Sequence, residues 1–152
     1  MDYVKDLREK VGNDAVILNG SVTFILNDDN DVLLQQRPDK SWGLPGGLME
    51  LGESFEETLV REVKEETNLT VKACQFVGLK SGKDFYVRLA NGDAYYSVTA
   101  LFHVTDLEGT LKSDSQESLQ LKYFPIESVP ENMNMRWRQF LHTFTDYFDR
   151  KN

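Results

Sequence analysis

The chain has 152 residues, a formal net charge of -8 and a pI near 4.8, with 40% of residues hydrophobic and 28% charged. That length can bury a core as one domain over residues 1–152. The acidic balance excludes a surface that tracks a nucleic-acid duplex, which needs clustered lysine and arginine, but leaves open a single nucleotide, whose few phosphates metal ions can neutralise. No apolar run approaches the roughly 18 residues of a membrane span. The N-terminus MDYVKDLREK lacks the apolar stretch of a secretion signal, and the lone cysteine, Cys74, forms no internal disulfide. A cytoplasmic protein with no membrane partner is the expectation.

Taken in chain order, residues 2–10 predict a short helix with Tyr3, Val4 and Leu7 on its apolar side, a segment that also offers a surface for a homodimer. Residues 19–26 and 31–37 read as strands joined by Asp28, Asp29 and Asn30; the turn lacks the glycine and closing glutamate of a calcium loop. A helix over residues 54–67 precedes a strand over 71–79. Residues 84–104 read as a hairpin about Asn91-Gly92, a pair that supplies positive φ angles, with Tyr96, Val98, Ala100, Phe102 and Val104 on the core face. A strand over 119–124, stopped by Pro125, and a terminal helix over 134–148 complete the chain. Strands and helices interleave without a regular repeat, which favours an α+β arrangement, a mixed sheet covered by helices.

The stretch GGLMELGESFEETLVREVKEETNL, residues 46–69, sets seven glutamates against one arginine and one lysine. Ser54 and Glu57 fit a capping box, so the helix starts there. With about 100° of turn per residue, Phe55, Leu59, Val63, Thr67 and Val60 form the buried side. Glu62, Glu65 and Glu66 cluster along its edge, with Glu66 nominally inside it. Exposed like charges at this spacing cost only about 0.2–0.5 kcal/mol per pair, so repulsion alone does not demand a cation. Partial burial is the stronger argument, because a carboxylate entering a core must be paired, protonated or bound to metal. Arg61 reaches Glu57 and Glu65 at helical spacing and cannot neutralise all three glutamates. The plainer reading is a solvated helix laced with ion pairs. Against it stands the preceding Leu44-Pro45-Gly46-Gly47, where glycines let backbone carbonyls approach a ligand closely. Clustered oxygen donors suit Mg²⁺ or Mn²⁺ rather than zinc.

Residues 47–69 resemble the Nudix box: glycine, five residues, glutamate, seven residues, then Arg-Glu-apolar-x-Glu-Glu-x-Gly-apolar. Gly47, Glu53, Arg61, Glu62, Val63, Glu65, Glu66 and Leu69 match, eight of the nine specified positions. The departure is Asn68 for the final glycine, at a helix end that wants a left-handed residue, where asparagine is the next choice. VLLQQRPDKSWGLPGG and LKYFPIESVPEN are also similar to Nudix hydrolases, so the resemblance covers roughly residues 19–131. It implies an α/β/α sandwich and hydrolysis of a nucleoside diphosphate linked to another group.

The resemblance further implies that Glu62, Glu65 and Glu66 supply carboxylate ligands to Mg²⁺ or Mn²⁺, and the carbonyl of Gly46 a further oxygen. Glu62 is the candidate for helping to deprotonate water, supported by Glu53, and Arg61 orients both. Some Nudix enzymes add a metal ligand or base from a later loop, which nominates Glu117, and after it Asp114, against a plain polar loop. Arg37 reads either as a holder of a substrate phosphate or as an exposed structural arginine. His103 and His142 read as structural, and Trp42 and Tyr95 as core packing or as platforms for a base.

Substrate markers are coarser. ADP-ribose hydrolases of the family often carry a proline past the box, and none lies between Leu69 and Pro125 here. Diadenosine-polyphosphate hydrolases often carry a tyrosine near the position of Tyr86. The resemblance as a whole points to cleavage of a nucleoside triphosphate to monophosphate and pyrophosphate. Dinucleoside polyphosphate or nucleotide-sugar hydrolysis is the alternative, and a non-catalytic nucleotide sensor the alternative outside catalysis.

Overall fold

The computed structural model describes residues 2–113 and 118–151. Helix α1, Tyr3–Val11, begins where the Asp2 side chain accepts the Lys5 N–H, and ends at Gly12, whose N–H returns to the Arg8 carbonyl. The strands are β1 Val16–Phe24, β2 Val32–Gln36, β3 Trp42–Gly43, β4 Gly46–Leu48, β5 Thr70–Lys80, β6 Tyr86–Arg88, β7 Ala94–Glu108 and β8 Gln120–Phe124. Helix α2 spans Phe55–Thr67 and α3 spans Met135–Lys151. No helix is long and apolar enough to cross a membrane among the described residues.

Two sheets form. In the larger, β4, β1, β7 and β5 lie side by side, with β6 also on β7. β1 and β7 run parallel and the other pairings are antiparallel, so the sheet is mixed. The smaller sheet has the order β3-β2-β8. Side chains alternate across β1 and β7, and each face carries its own core. On one face Val22, Phe24 and Leu101 pack with Trp137, Phe140 and Phe144 of α3. On the other Ile25, Ala100, Phe102 and Val104 pack with Leu59 and Val63 of α2. The result is the expected α/β/α sandwich.

Several local expectations change. β1 and β2, joined by the expected turn, enter different sheets and are linked by one isolated bridge, Leu26–Val32. The 84–104 hairpin is short, with β6 contributing three residues. Its turn is closed by Gly92 N–H to the Leu89 carbonyl and Leu89 N–H to the Asp93 carbonyl, so Gly92 alone takes positive φ and Asn91 does not. Tyr96 is 41% exposed, while Tyr95, Ser97 and Thr99 on the other face are buried. A central strand covered on both sides carries no single apolar face to read. Val60, expected inside, is 39% exposed. The buried side of α2 centres instead on Leu59, Val63 and Glu66, which turns Val60 outward.

Candidate active site

The phase of α2 sets the site. Ser54 Oγ accepts the Glu57 N–H at 3.0 Å, and Glu57 Oε1 accepts the Ser54 N–H at 3.0 Å, so the helix starts where the capping box predicts. From that start Glu66 falls among the apolar residues and is 3% exposed. The Glu62 side chain beside it is 13% exposed, and that of Glu65 is 58% exposed.

Arg61 is the hub. Its Nε and Nη2 donate to the two Glu53 oxygens at 2.7 and 2.9 Å, and Nη1 donates to Glu62 at 2.8 Å and to Glu65 at 3.4 Å. Nη2 also donates to the Leu48 carbonyl at 3.0 Å, tying α2 to β4. The anticipated reach to Glu57 is not made, because the capping box holds that side chain. Glu53 accepts further hydrogen bonds from the Glu50 N–H and the Thr58 hydroxyl. The Arg61 hydrogen bond and these donors hold its carboxyl down at about 2. Arg61 is pushed further up by the same contacts.

Glu62 and Glu66 behave oppositely. Burial raises both carboxyls above the usual range, although Arg61 pulls Glu62 back. Glu66 rises furthest, through burial first and the neighbouring Glu62 charge second, and the Arg37 charge opposes that rise. Glu66 Oε2 accepts the Gly46 N–H at 3.2 Å, so Gly46 meets this glutamate through its amide. The three glutamates therefore converge only in part. Buried Glu66 and half-buried Glu62 form a pair, and Glu65 leans outward on Arg61. Among the described residues, no three acidic, histidine or cysteine side chains are gathered as they stand around one point that would hold an ion.

All three glutamates open onto one cleft of about 1430 Å³. Tyr95, Ser97 and Thr99 of β7 line it, as do Arg37 from the end of β2, Arg8 from α1, and Arg136 and Trp137 from α3. The Ser97 hydroxyl is buried and without a hydrogen-bond partner. Tyr95 thus faces the cleft, whereas Trp42 packs edge-on against Phe124 in the core. His103 sits against Phe144, Tyr147 and Phe148. His142 is exposed beside Asp146. Neither histidine lines the cleft. Glu117 and Asp114 lie outside the described residues. Arg136 and Trp137 escaped the sequence reading, since an aromatic run in a terminal helix signals core packing. The only hint was the alternation Arg136-Trp137-Arg138.

The NUDIX domain family model matches residues 18–144. A protein of Bacillus subtilis strain 168 described as "Putative 8-oxo-dGTP diphosphatase" is 39% identical over 112 residues, covering 73% of this chain and 68% of that protein. The "ADP-ribose pyrophosphatase" of Methanocaldococcus jannaschii is 30% identical over 115 residues, covering 73% of this chain and 64% of its own length. The chain spans only 30% and 38% of the length of two other curated relatives. Among solved structures, the MutT protein from Methanosarcina mazei Go1 superposes with a TM-score of 0.73 at 23% identity, over 91% of this chain and 97% of that one. This last likeness speaks for the fold.

Proposed function

This chain belongs to the Nudix family, and from that premise we propose that it is a metal-dependent pyrophosphohydrolase that cleaves a nucleoside triphosphate to nucleoside monophosphate and pyrophosphate. The observation that carries the reading is the pair of half-buried Glu62 and buried Glu66 opening onto the cleft. Two carboxylates out of water need a proton or a cation, and Arg61 with the Gly46 amide offsets them only in part.

Nudix hydrolases generally need a divalent metal, typically Mg²⁺. The donors here fit a hard cation, being oxygen only and partly desolvated. Glu62, Glu65, Glu66 and the Gly46 carbonyl would hold it, Mg²⁺ first and Mn²⁺ second. When bound, such an ion neutralises phosphate charge and lowers the pKa of a coordinated water. Glu62 is placed to accept the proton of the attacking water. The hydroxyl joins one phosphorus of the anhydride, and the bridging oxygen leaves with the other. Arg61 fixes the Glu62 carboxylate by a charge-assisted hydrogen bond. Glu53 works through Arg61, its own oxygens being fully engaged, and Arg37 binds a substrate phosphate. Glu117 is a further candidate ligand or base.

The relatives' descriptions name 8-oxo-dGTP and ADP-ribose. The higher identity of the former supports a triphosphate. Product analysis on nucleoside triphosphates, dinucleoside polyphosphates and nucleotide sugars, with Mg²⁺ or Mn²⁺, tests the reading. Monophosphate and pyrophosphate should appear from at least one triphosphate, and Glu66→Gln should be folded and inactive. Metal-loaded wild type that leaves every triphosphate intact defeats the proposal.

A further inference from the structure

Four arginines line the cleft, and two of them are already occupied. Arg61 serves the glutamates. Arg8 donates to the carbonyls of Gly12, Asp14 and Ala94 and lies 3.7 Å from Asp93. Arg37 and Arg136 pair with no carboxylate among the described residues. Their side chains lie against aromatic faces: the Arg37 Cζ lies 5.0 Å and the Arg136 Cζ 4.4 Å from the centre of the Trp137 ring, and Arg136 also lies 5.6 Å from Phe140. The Arg37 Nε is buried and donates to nothing. Trp137 itself is 5% exposed and pressed against Gly43, where a Cβ would lie 2.7 Å from the indole. Both guanidiniums thus lie against one fixed ring and line the same cleft.

We infer that Arg37 and Arg136 form a receptor for one phosphate group, seated against Trp137, and that this pair selects substrates carrying a third phosphate over those whose distal group is neutral. The inference rests on the reading of the cleft as a nucleotide site. Its logic is charge. Burial lowers the Arg136 pKa, Tyr95 opposes that fall, and the Arg37 charge adds to it. Two like charges on half-buried arginines facing one cleft repel each other unless an anion joins them. The edge of a neutral base could accept hydrogen bonds from one guanidinium but would leave both charges standing. A phosphate offers two charges and several acceptor oxygens to planar donors. The Arg37 charge is also felt at Glu66, so this arginine lies within electrostatic reach of the glutamates. A polyphosphate chain can then reach from one group to the other, whereas a sugar in the same place would leave Arg136 unmatched.

The test uses inorganic triphosphate as the probe, in EDTA, followed by calorimetry and by the fluorescence of the two tryptophans. Wild type should bind it saturably, Arg136→Met should weaken it about tenfold or more, and Arg136→Lys should fall between. Absent saturable binding by wild type, or affinities for wild type and Arg136→Met within about twofold, overturn the inference. Circular dichroism checks that each variant is folded, and Arg136→Lys carries the test should Arg136→Met fail. No turnover is needed, so a protein that binds triphosphate yet hydrolyses nothing would sink the proposed activity and leave this receptor standing. Where turnover is present, Arg136→Lys should raise KM for the triphosphate by a clearly larger factor than KM for a nucleotide sugar. An equal rise for both substrates removes the selectivity.

Discussion

The Glu62 carboxyl fills the space that any side chain at Gly47 would need: a Cβ there would lie 2.3 Å from its carboxyl carbon and 2.5 and 2.6 Å from its oxygens. The glycine is thus required by a close approach across to α2. Because the obstacle is the end of a flexible side chain, Gly47→Ala should displace the carboxylate and spare the fold. A misplacement near 1 Å can cost about a hundredfold in rate. Turnover should fall by about that factor while the melting temperature stays within a few degrees. Unchanged turnover would show that Glu62 works equally well from another position.

Glu66 is the most deeply buried carboxyl of the site, at 3% exposure. Glutamine has the same shape, can still accept the Gly46 N–H, and carries no charge to desolvate. Without metal, Glu66→Gln should therefore melt at or above the wild-type temperature. With Mg²⁺ or Mn²⁺ the order should reverse, because an ion that binds only the folded protein adds about 2.7 kcal/mol at a hundred times its Kd. Thermal melts with and without metal read both effects. Equal metal-induced shifts in the two proteins would remove Glu66 from the ligand set.

The legible part of this site was local. The capping box marks the start of α2, and helical periodicity from there puts Glu66 inside the apolar stripe from the sequence alone. The distal wall was not legible. Arg37 and Trp137 lie one hundred residues apart in sequence and meet only because β2 and α3 share one core. Periodicity places each on its own element and is silent on which elements touch. The separation of β1 and β2 into different sheets was hidden for the same reason: a polar turn between two apolar runs looks alike whether or not the strands pair. In β7 burial on both faces erased the alternation that would have singled out Tyr95, Ser97 and Thr99.

Acid should loosen the anchor of Arg61. Glu53 drops from 4.5 to about 2 on folding, chiefly through its hydrogen bond from Arg61. A carboxyl lowered on folding contributes stability that is fully present above the unfolded value and is lost as pH falls through the folded one. The Glu53 contribution should therefore be intact above pH 4.5 and vanish toward pH 2. Urea midpoints for wild type and Glu53→Gln should differ by a constant amount from pH 7 down to about pH 4.5 and converge as pH falls toward 2. Parallel curves through the whole range would mean that the Glu53 carboxyl is not held down.

Asn68 is where the box departs from its pattern, and the backbone there explains why the departure is tolerated. The residue closes α2 at φ 66 and ψ 3, in the left-handed region, with its N–H returned to the Lys64 carbonyl. Its side-chain Nδ2 donates to the Thr110 carbonyl at 3.0 Å. Most L-residues lose about 1–2 kcal/mol in this conformation, whereas glycine loses none and asparagine little. Asn68→Gly gives up the hydrogen bond to Thr110 and relieves only the small strain that asparagine carries there, two terms of opposite sign. It should leave stability within about 1 kcal/mol of wild type. Asn68→Ala loses the hydrogen bond and keeps the strain, so it should cost about 1–2 kcal/mol or more. Neither change touches the cleft, so kcat should hold in both. Denaturant midpoints give the order, and an alanine variant as stable as the glycine one would mean that the left-handed turn contributes nothing to closing the helix.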